Sequence, residues 1–418
     1  MGSLDRPQLR PLSGRRVDHQ GQAFVALEDS LGLFTGQVLI PIEAYHRIVR
    51  HFDGSSTLTE LNDLVHRETG QPARLADLEA LVARLDQAMV LDGPTLDAFT
   101  QKYARQSFRP SSHAGRSYPA DPTVLRQEIA GYFSGPGGAG APSTQPTKTA
   151  NPIRAVLSPH IDFGRGGPVY SHAYRSLFER SDADIFVILG VAHQYCKHRF
   201  ALTRKDFETP LGTARTDLTF VDHLARMAGP HLFEDEVAHR TEHSIEFQVV
   251  FLQYGLADRR DFTIVPILVG SFHDLMLAGL DPIADPEVAR MVEALRSAEA
   301  ASGKKVAYIG GIDLCHVGPE FGDRSTVDDA TLGSIRAFDE SMLDRASDRD
   351  AAAWFRTAAE VENRWRVCGL AATYTMLEAI GPARGKLLRY DQAVNPTRTC
   401  CVTFASVEYE AIPAPADA

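Results

Sequence analysis

From Ile153 onward, short apolar runs alternate with polar clusters and then with longer stretches of helical period. Ala155–Leu157 leads to Ser158-Pro159-His160, and Ile185–Leu189 leads to Gly190-Val191-Ala192-His193. Thr263–Val269 leads to Gly270, and Val306–Ile309 leads through Gly310-Gly311 to Asp313, Cys315 and His316. Apolar runs of this length, bounded by glycine, read as buried strands. Their alternation with helices predicts an α/β fold, a parallel or mixed sheet flanked by helices on both faces. Residues 328–380 read as mostly helical, and 386–410 return to strands.

The first hundred residues have a different rhythm. Residues 1–20 read as a loose polar arm and 21–40 as two short strands around a turn near Asp29–Gly32. Ile42, Tyr45, Ile48 and Val49 then fall at helical spacing. Thr57 or Thr59 can cap a second helix with Leu61, Leu64 and Val65 on its apolar face. A third helix over Leu75–Gln87 presents Leu78, Leu81, Val82 and Leu85, and MVLDGP closes the region as a short strand. The expected division is a small α+β domain over 1–95, a polar connector over 96–108, a larger domain over 109–410 and a tail over 411–418. The Gly/Pro/Ser/Thr-rich stretch 135–150 reads as a flexible insertion within the larger domain.

Composition narrows the function classes. A formal net charge of −11 argues against general nucleic-acid binding. Residues 1–16 lack an apolar signal core, and no apolar run approaches membrane-spanning length. The five cysteines show no CxxC spacing, which fits a reducing, cytoplasmic setting.

The candidate chemistry sits where the strands end. In open α/β sheets, active groups collect at the carboxyl ends of strands. His160 and His193 bear the same relation to two strands, although a lone histidine in a tight turn is also compatible with a purely structural hydrogen bond. Neutral imidazole is the commonest metal ligand. Cys315, between Asp313 and His316, completes a two-His, one-Cys set of a kind accepted by zinc, iron and copper but not by magnesium or calcium. Glu242-His243-Ser244-Ile245-Glu246 opens an amphipathic helix with Phe247, Val250 and Phe251 inward and Thr241 as cap. His243 and Glu246 share one face of it. Cys368 reads as packing at a helix start, and Cys400 and Cys401 as pointing to opposite faces of a strand. His172, His198, His223, His231, His239 and His273 read as surface or supporting groups.

SHAGRSYPADP, SPHIDFGRGGPVYSHAY, ILGVAHQ, TEHSIEFQ, IVPILVG and GIDLCHVG occur in the order seen in the Memo family, whose bacterial and archaeal members are called AmmeMemoRadiSam system protein B. The resemblance covers about residues 108–410. It implies a fold like that of class III extradiol dioxygenases, with His160, His193 and Cys315 as metal ligands and His243 as a nearby acid/base. It also implies a single metal ion, Fe(II) first and copper or zinc as alternatives, and a radical-SAM protein and other components of that system as neighbours. The chain departs from the family pattern at Ile161-Asp162-Phe163, Arg165 and Gln194. Asp162, Arg165, Glu246 and His316 are therefore expected to line the pocket or orient its ligands, with Asp313 catalytic beside His243. Residues 1–95 resemble a PqqD-like winged-helix module, which implies peptide or protein docking. Three functions follow: a mononuclear non-haem metal oxidoreductase, a non-catalytic binding scaffold, or a zinc hydrolase using His243 or Glu246 as base.

Overall fold

The computed structural model describes residues 4–34, 37–70, 74–143 and 151–412. The chain divides into two units, Met1–Gln106 and Ser107–Ala418. In the smaller unit, β1 (Ser13–His19), β2 (Gln22–Glu28) and β3 (Val38–Pro41) form an antiparallel sheet in that order. Helices α1 (Ile42–Arg47), α2 (Leu58–Thr69), α3 (Leu75–Gln87) and α4 (Pro94–Ala104) follow. The expected loose arm is instead the first strand, turning at Gln20-Gly21, both with positive φ. Ahead of it, the Arg10 guanidinium grips the Asp29 carboxylate through two bonds of 3.1 and 2.9 Å. Thr57 caps α2 in a reciprocal box with Glu60, and α3 spans the predicted residues. The predicted strand at Met89–Pro94 contributes a single bridge, Leu91 to Leu9. The predicted connector is largely the helix α4, started by Pro94 at its first position.

The larger unit is α/β. It contains β4 (Phe108–Arg109), α5 (Pro122–Ser134), β5 (Ile153–Ser158), α6 (Phe163–Arg180), β6 (Ile185–Val191), β7 (Phe200–Leu202), β8 (Asp206–Thr209), β9 (Gly212–Thr216), α7 (Leu218–Ala228) and α8 (His243–Leu256). It continues with β10 (Thr263–Val269), α9 (His273–Leu277), α10 (Pro286–Ser302), β11 (Val306–Gly311), β12 (His316–Val317), α11 (Asp329–Ser347), α12 (Ala351–Ala359), α13 (Leu370–Ala379), β13 (Ala383–Val394) and β14 (Cys401–Ala411). Among the described residues the sheet runs β12-β14-β5-β11-β6-β10-β9-β8-β4, with β13 on β14 and β7 on β10. Its centre, β5-β11-β6-β10, is parallel, and β14 closes one side antiparallel to β5. No helix among the described residues is long and apolar enough to cross a membrane.

The register of the central strands determines where the chemistry falls. Gly311 pairs with Ser158 on one side and Gly190 on the other. His160, His193 and Asp313 each lie two residues beyond the end of their strand, so one edge of the sheet carries all three. Gly190 and Gly311 also let α8 approach. A Cβ at Gly311 would stand 2.5 Å from the Ser244 carbonyl, and one at Gly190 would stand 2.6 Å from Ser244 Oγ and from Ile245. The first turn of α8 therefore rests directly on the strand ends.

Two expectations change here. α8 is buried on nearly every side rather than amphipathic, because it lies between the sheet and helices α5 and α6. Its cap is Glu242, not Thr241: the carboxylate accepts the N–H groups of His243 and Ser244. The described part of the predicted flexible insertion, residues 135–143, is tied down. Ala139 N–H donates to Ser171 Oγ (2.9 Å), Gly140 N–H donates to the Phe133 carbonyl (2.8 Å), and Arg175 donates to the Ala139 carbonyl. Residues 144–150, and 413–418 of the expected tail, lie outside the described residues.

Candidate metal centre

Three imidazoles converge at the strand ends. The ring centroids of His160 and His193 are 5.0 Å apart, those of His160 and His243 5.1 Å, and those of His193 and His243 4.8 Å. One donor nitrogen from each lies within 4.8 Å of the other two. The outward-facing nitrogens are already committed. His160 Nδ1–H donates to the Gly311 carbonyl at 2.9 Å, and His193 Nδ1–H donates to Glu242 at 3.0 Å. Both Nε2 lone pairs are thereby left for a ligand, the usual means of fixing the tautomer of a metal-binding histidine. His243 Nδ1 lies 3.1 Å from the same carboxylate.

Charge follows the same arrangement. Burial, then the neighbouring imidazoles, push the His160 pKa well below its ordinary value, so the ring is neutral. Burial alone would lower His193, but the Glu242 carboxylate overrides it and the net shift is upward. Glu242 itself is buried, a cost outweighed by His193 and His243, which hold its pKa well below the usual carboxylate range. Burial raises Asp313 to about 7, even though it accepts the His160 N–H at 3.0 Å. Its other oxygen lies 3.6 Å from His160 Nε2.

Cys315 does not join this set. Its N–H donates to Thr403 Oγ1 (2.9 Å), which draws the backbone onto β14, and its thiol donates to Asp339 of α11 at 3.0 Å. Burial and the Asp339 carboxylate push the Cys315 pKa up. The sulfur that does reach one imidazole belongs to Cys368, whose thiol lies 3.3 Å from His160 Nε2; burial and then the Asp313 carboxylate push its pKa up as well. The Cys368 N–H bonds the Leu314 carbonyl and the Gly369 N–H bonds the Asp313 carbonyl, which pins the start of α13 against the residues after β11.

The Cys315 cluster has a consequence of its own. Burial raises Asp339 to about 6, against the opposing donors Cys315, Thr403 and Tyr390. The folded state then holds its proton more tightly than the unfolded chain. Stability is full below the unfolded value near 3.8 and falls as pH rises through about 6. Replacing Asp339 with Asn should flatten that segment of the stability–pH curve, an effect on the order of 3 kcal/mol across the window. Urea denaturation between pH 4 and 7 measures it, and parallel curves for the two proteins would refute it.

The remaining expected pocket residues separate. Asp162 caps α6 and pairs with Arg165, which is about half exposed. Burial lowers His316 to about 4, and its Nδ1 bonds the carbonyls of Leu314 and Arg366. Glu246 is not a free base. Arg109 lies 2.6 Å from it, Ser112 N–H, Ser112 Oγ and His113 N–H donate to it, and so does the Tyr118 hydroxyl. This network brings His113 within 5.6 Å of His243, centroid to centroid. Neither Arg109 nor His113 carries a role in the sequence reading, although His113 lies in the SHAGRSYP stretch and Arg109 three residues ahead of it. A cavity of about 300 Å³ reaches both His193 and Cys368, with Phe272, Met276 and Leu370 on its apolar wall. His239, expected as a surface or supporting group, is fully buried and bonds the Ala201 carbonyl.

The family model for Memo-like protein matches residues 109–408. A MEMO1 family protein of Aquifex aeolicus is 26% identical over 364 residues, covering 85% of this chain and 88% of its own. That span exceeds the larger unit and so includes part of the smaller one. A MEMO1 family protein of Methanopyrus kandleri is 31% identical over 66% of this chain and 89% of its own. One from Archaeoglobus fulgidus is 31% identical over 71% and 97%. With matched strands carrying the converging histidines and a match across the larger unit, the chain belongs to the Memo family.

Proposed function

We propose that the larger unit is a mononuclear metal-dependent redox protein, with His160 and His193 as ligands and the Cys368 thiolate as a third. The observation that carries this reading is the pairing of both imidazole Nδ1 groups with Gly311 and Glu242, which leaves two Nε2 atoms for a metal, with the Cys368 sulfur 3.3 Å from that of His160. Nitrogen and thiolate donors suit iron, copper or zinc. Iron, the first choice, would supply one-electron redox chemistry and a Lewis-acidic centre for oxygen or substrate.

The protein's own groups have separable tasks. Glu242 orients His193 and His243 together. Asp313, titrating near 7 in the absence of metal, is able to hold or release a proton beside His160. His243, 30% exposed at the rim, is placed to exchange that proton with solvent or substrate. The apolar wall of the adjoining cavity fits a small, largely non-polar substrate. A hydrolytic role for Glu246 is disfavoured, because Arg109 and the surrounding donors hold its carboxylate ionised and fully engaged.

Protein purified anaerobically without added metal is expected to carry about one equivalent of iron, and the His160→Ala variant none. Cys368→Ser should lose the thiolate-to-metal charge-transfer absorption that Cys315→Ser retains. Equal metal in wild type and His160→Ala would overturn the reading, and loss of the absorption in Cys315→Ser alone would restore Cys315 as the ligand.

A further inference from the structure

A second group of ligand-type side chains meets on the other side of the loop that carries His193. His198 comes from that loop, His231 from the short turn Pro230–Phe233 after α7, and Glu287 from the first turn of α10. One donor atom from each lies within 4.8 Å of the other two, and the two imidazole centroids are 4.7 Å apart. Glu234, at the end of the same turn as His231, places Oε2 at 3.2 Å from His198 Nε2.

We propose that His198, His231 and Glu287 form a second metal site, suited to Zn²⁺, with Glu234 as its fourth ligand. The donors are two imidazoles and carboxylates without a thiol, a set zinc accepts in tetrahedral geometry. Zinc–ligand bonds of about 2.0–2.2 Å place neighbouring donors roughly 3.3–3.6 Å apart. His198, His231 and Glu287 side chains are 20%, 28% and 22% exposed, so each has room for the small rotation that closes this distance.

The surroundings are built toward these donors. Gly229 has φ +121°, and a Cβ there would stand 2.4 Å from His231 Nδ1, so the imidazole packs into space that only glycine leaves. Glu287 Oε1 accepts the Arg199 N–H at 2.9 Å, which fixes the carboxylate beside the rings. The Arg199 guanidinium is neutralised by Asp274 at 2.6 Å and Asp285 at 3.2 Å, so it does not cancel the charge of Glu287. The competing cation is Lys197, 2.9 Å from Glu234 and 66% exposed, which zinc would displace into solvent.

The second site has a structural purpose that the first lacks. A cleft of about 800 Å³ is lined by His193, Gln194, His198 and Glu287. Zinc at His198 would join the loop, the Pro230–Phe233 turn and the start of α10, three segments distant in sequence. Residue 193 lies five positions away on the same loop, so the zinc fixes the rim of the primary centre while taking no part in its chemistry.

The test is zinc retained after metal-free full-length protein is loaded with Zn²⁺ and passed over a desalting column, together with the thermal midpoint. Wild type should retain one more equivalent than either His231→Ala or Glu287→Gln, and zinc should raise its midpoint by more than it raises theirs. The His160→Ala/His193→Ala protein, lacking the primary centre, should still retain the His231-dependent equivalent. The count difference is read independently of whether the primary centre takes zinc. If His231→Ala and Glu287→Gln, both folded by circular dichroism, retain as much zinc as wild type, the cluster is an ion-pair network around Glu234 and the proposal is wrong.

Discussion

Replacing Glu242 with Ala is expected to weaken metal binding at the primary centre by ~10–100-fold, with little change in overall fold. Partners that orient a metal-binding histidine are each worth ~10–100-fold in affinity. Glu242 serves both His193 and His243, and it also accepts the first two N–H groups of α8. Loss of the cap adds about 1 kcal/mol of helix destabilisation. A second effect runs the other way: without the carboxylate, the His193 pKa falls, and protons compete less with metal. Measurement over a pH series, carried up to where affinity no longer rises with pH in either protein, isolates the orientation effect. Glu242→Gln keeps one acceptor oxygen but loses the charge, so it should retain the cap and hold the rings less firmly, and its affinity should fall between the two. If Glu242→Ala bound metal as tightly as wild type on that high-pH plateau, the imidazoles would be held by the backbone alone and the role given to Glu242 would be lost.

How far the sequence foretells this centre depends on how close each residue lies to a regular strand. His160 and His193 follow fully buried strands by two residues, and strand register then decides their level. Asp313 benefits from the same rule after β11. Cys315 lies two residues further, in irregular backbone, where strand alternation no longer dictates direction. There the side chain's aim is set by Thr403 and Asp339, which are 88 and 24 residues away. Cys368 is the converse case. Its place depends on how the segment before α13 folds back onto Asp313 and Leu314, a tertiary contact with no local signature beyond a Cys-Gly pair before an apolar helix. α8 departs from the amphipathic expectation for a related reason: HSIEFQVVFLQYGL is apolar around most of its circumference, the mark of a helix covered on all sides.

Arg109→Met is expected to destabilise the larger unit by about 3–5 kcal/mol, because it leaves the Glu246 carboxylate charged and buried without its cation. Both side chains are fully buried, and the guanidinium also donates to the carbonyls of His239 and Glu242, so it ties the start of the chain's second unit to the entry of α8. The pH dependence separates this explanation from a simple packing loss. In wild type, burial opposes but Arg109 and the surrounding donors win, and the Glu246 pKa is held far below its ordinary value. The unfolded chain then binds the proton more readily, and this contribution to stability is present above an unfolded value of about 4.3 and disappears as pH falls below it. In Arg109→Met, burial dominates and raises the Glu246 pKa above the unfolded value. The folded state now binds the proton more readily, and stability falls as pH rises from about 4.3. The Glu246 contributions to the two stability–pH curves should therefore slope in opposite directions in urea denaturation between pH 4 and 7. The double variant Arg109→Met/Glu246→Gln removes the ionisation and should recover part of the loss at pH 7 while giving a curve without the Glu246 slope. A double variant no more stable than Arg109→Met, with both curves parallel to wild type, would show that Arg109 acts by filling space and that its charge is immaterial.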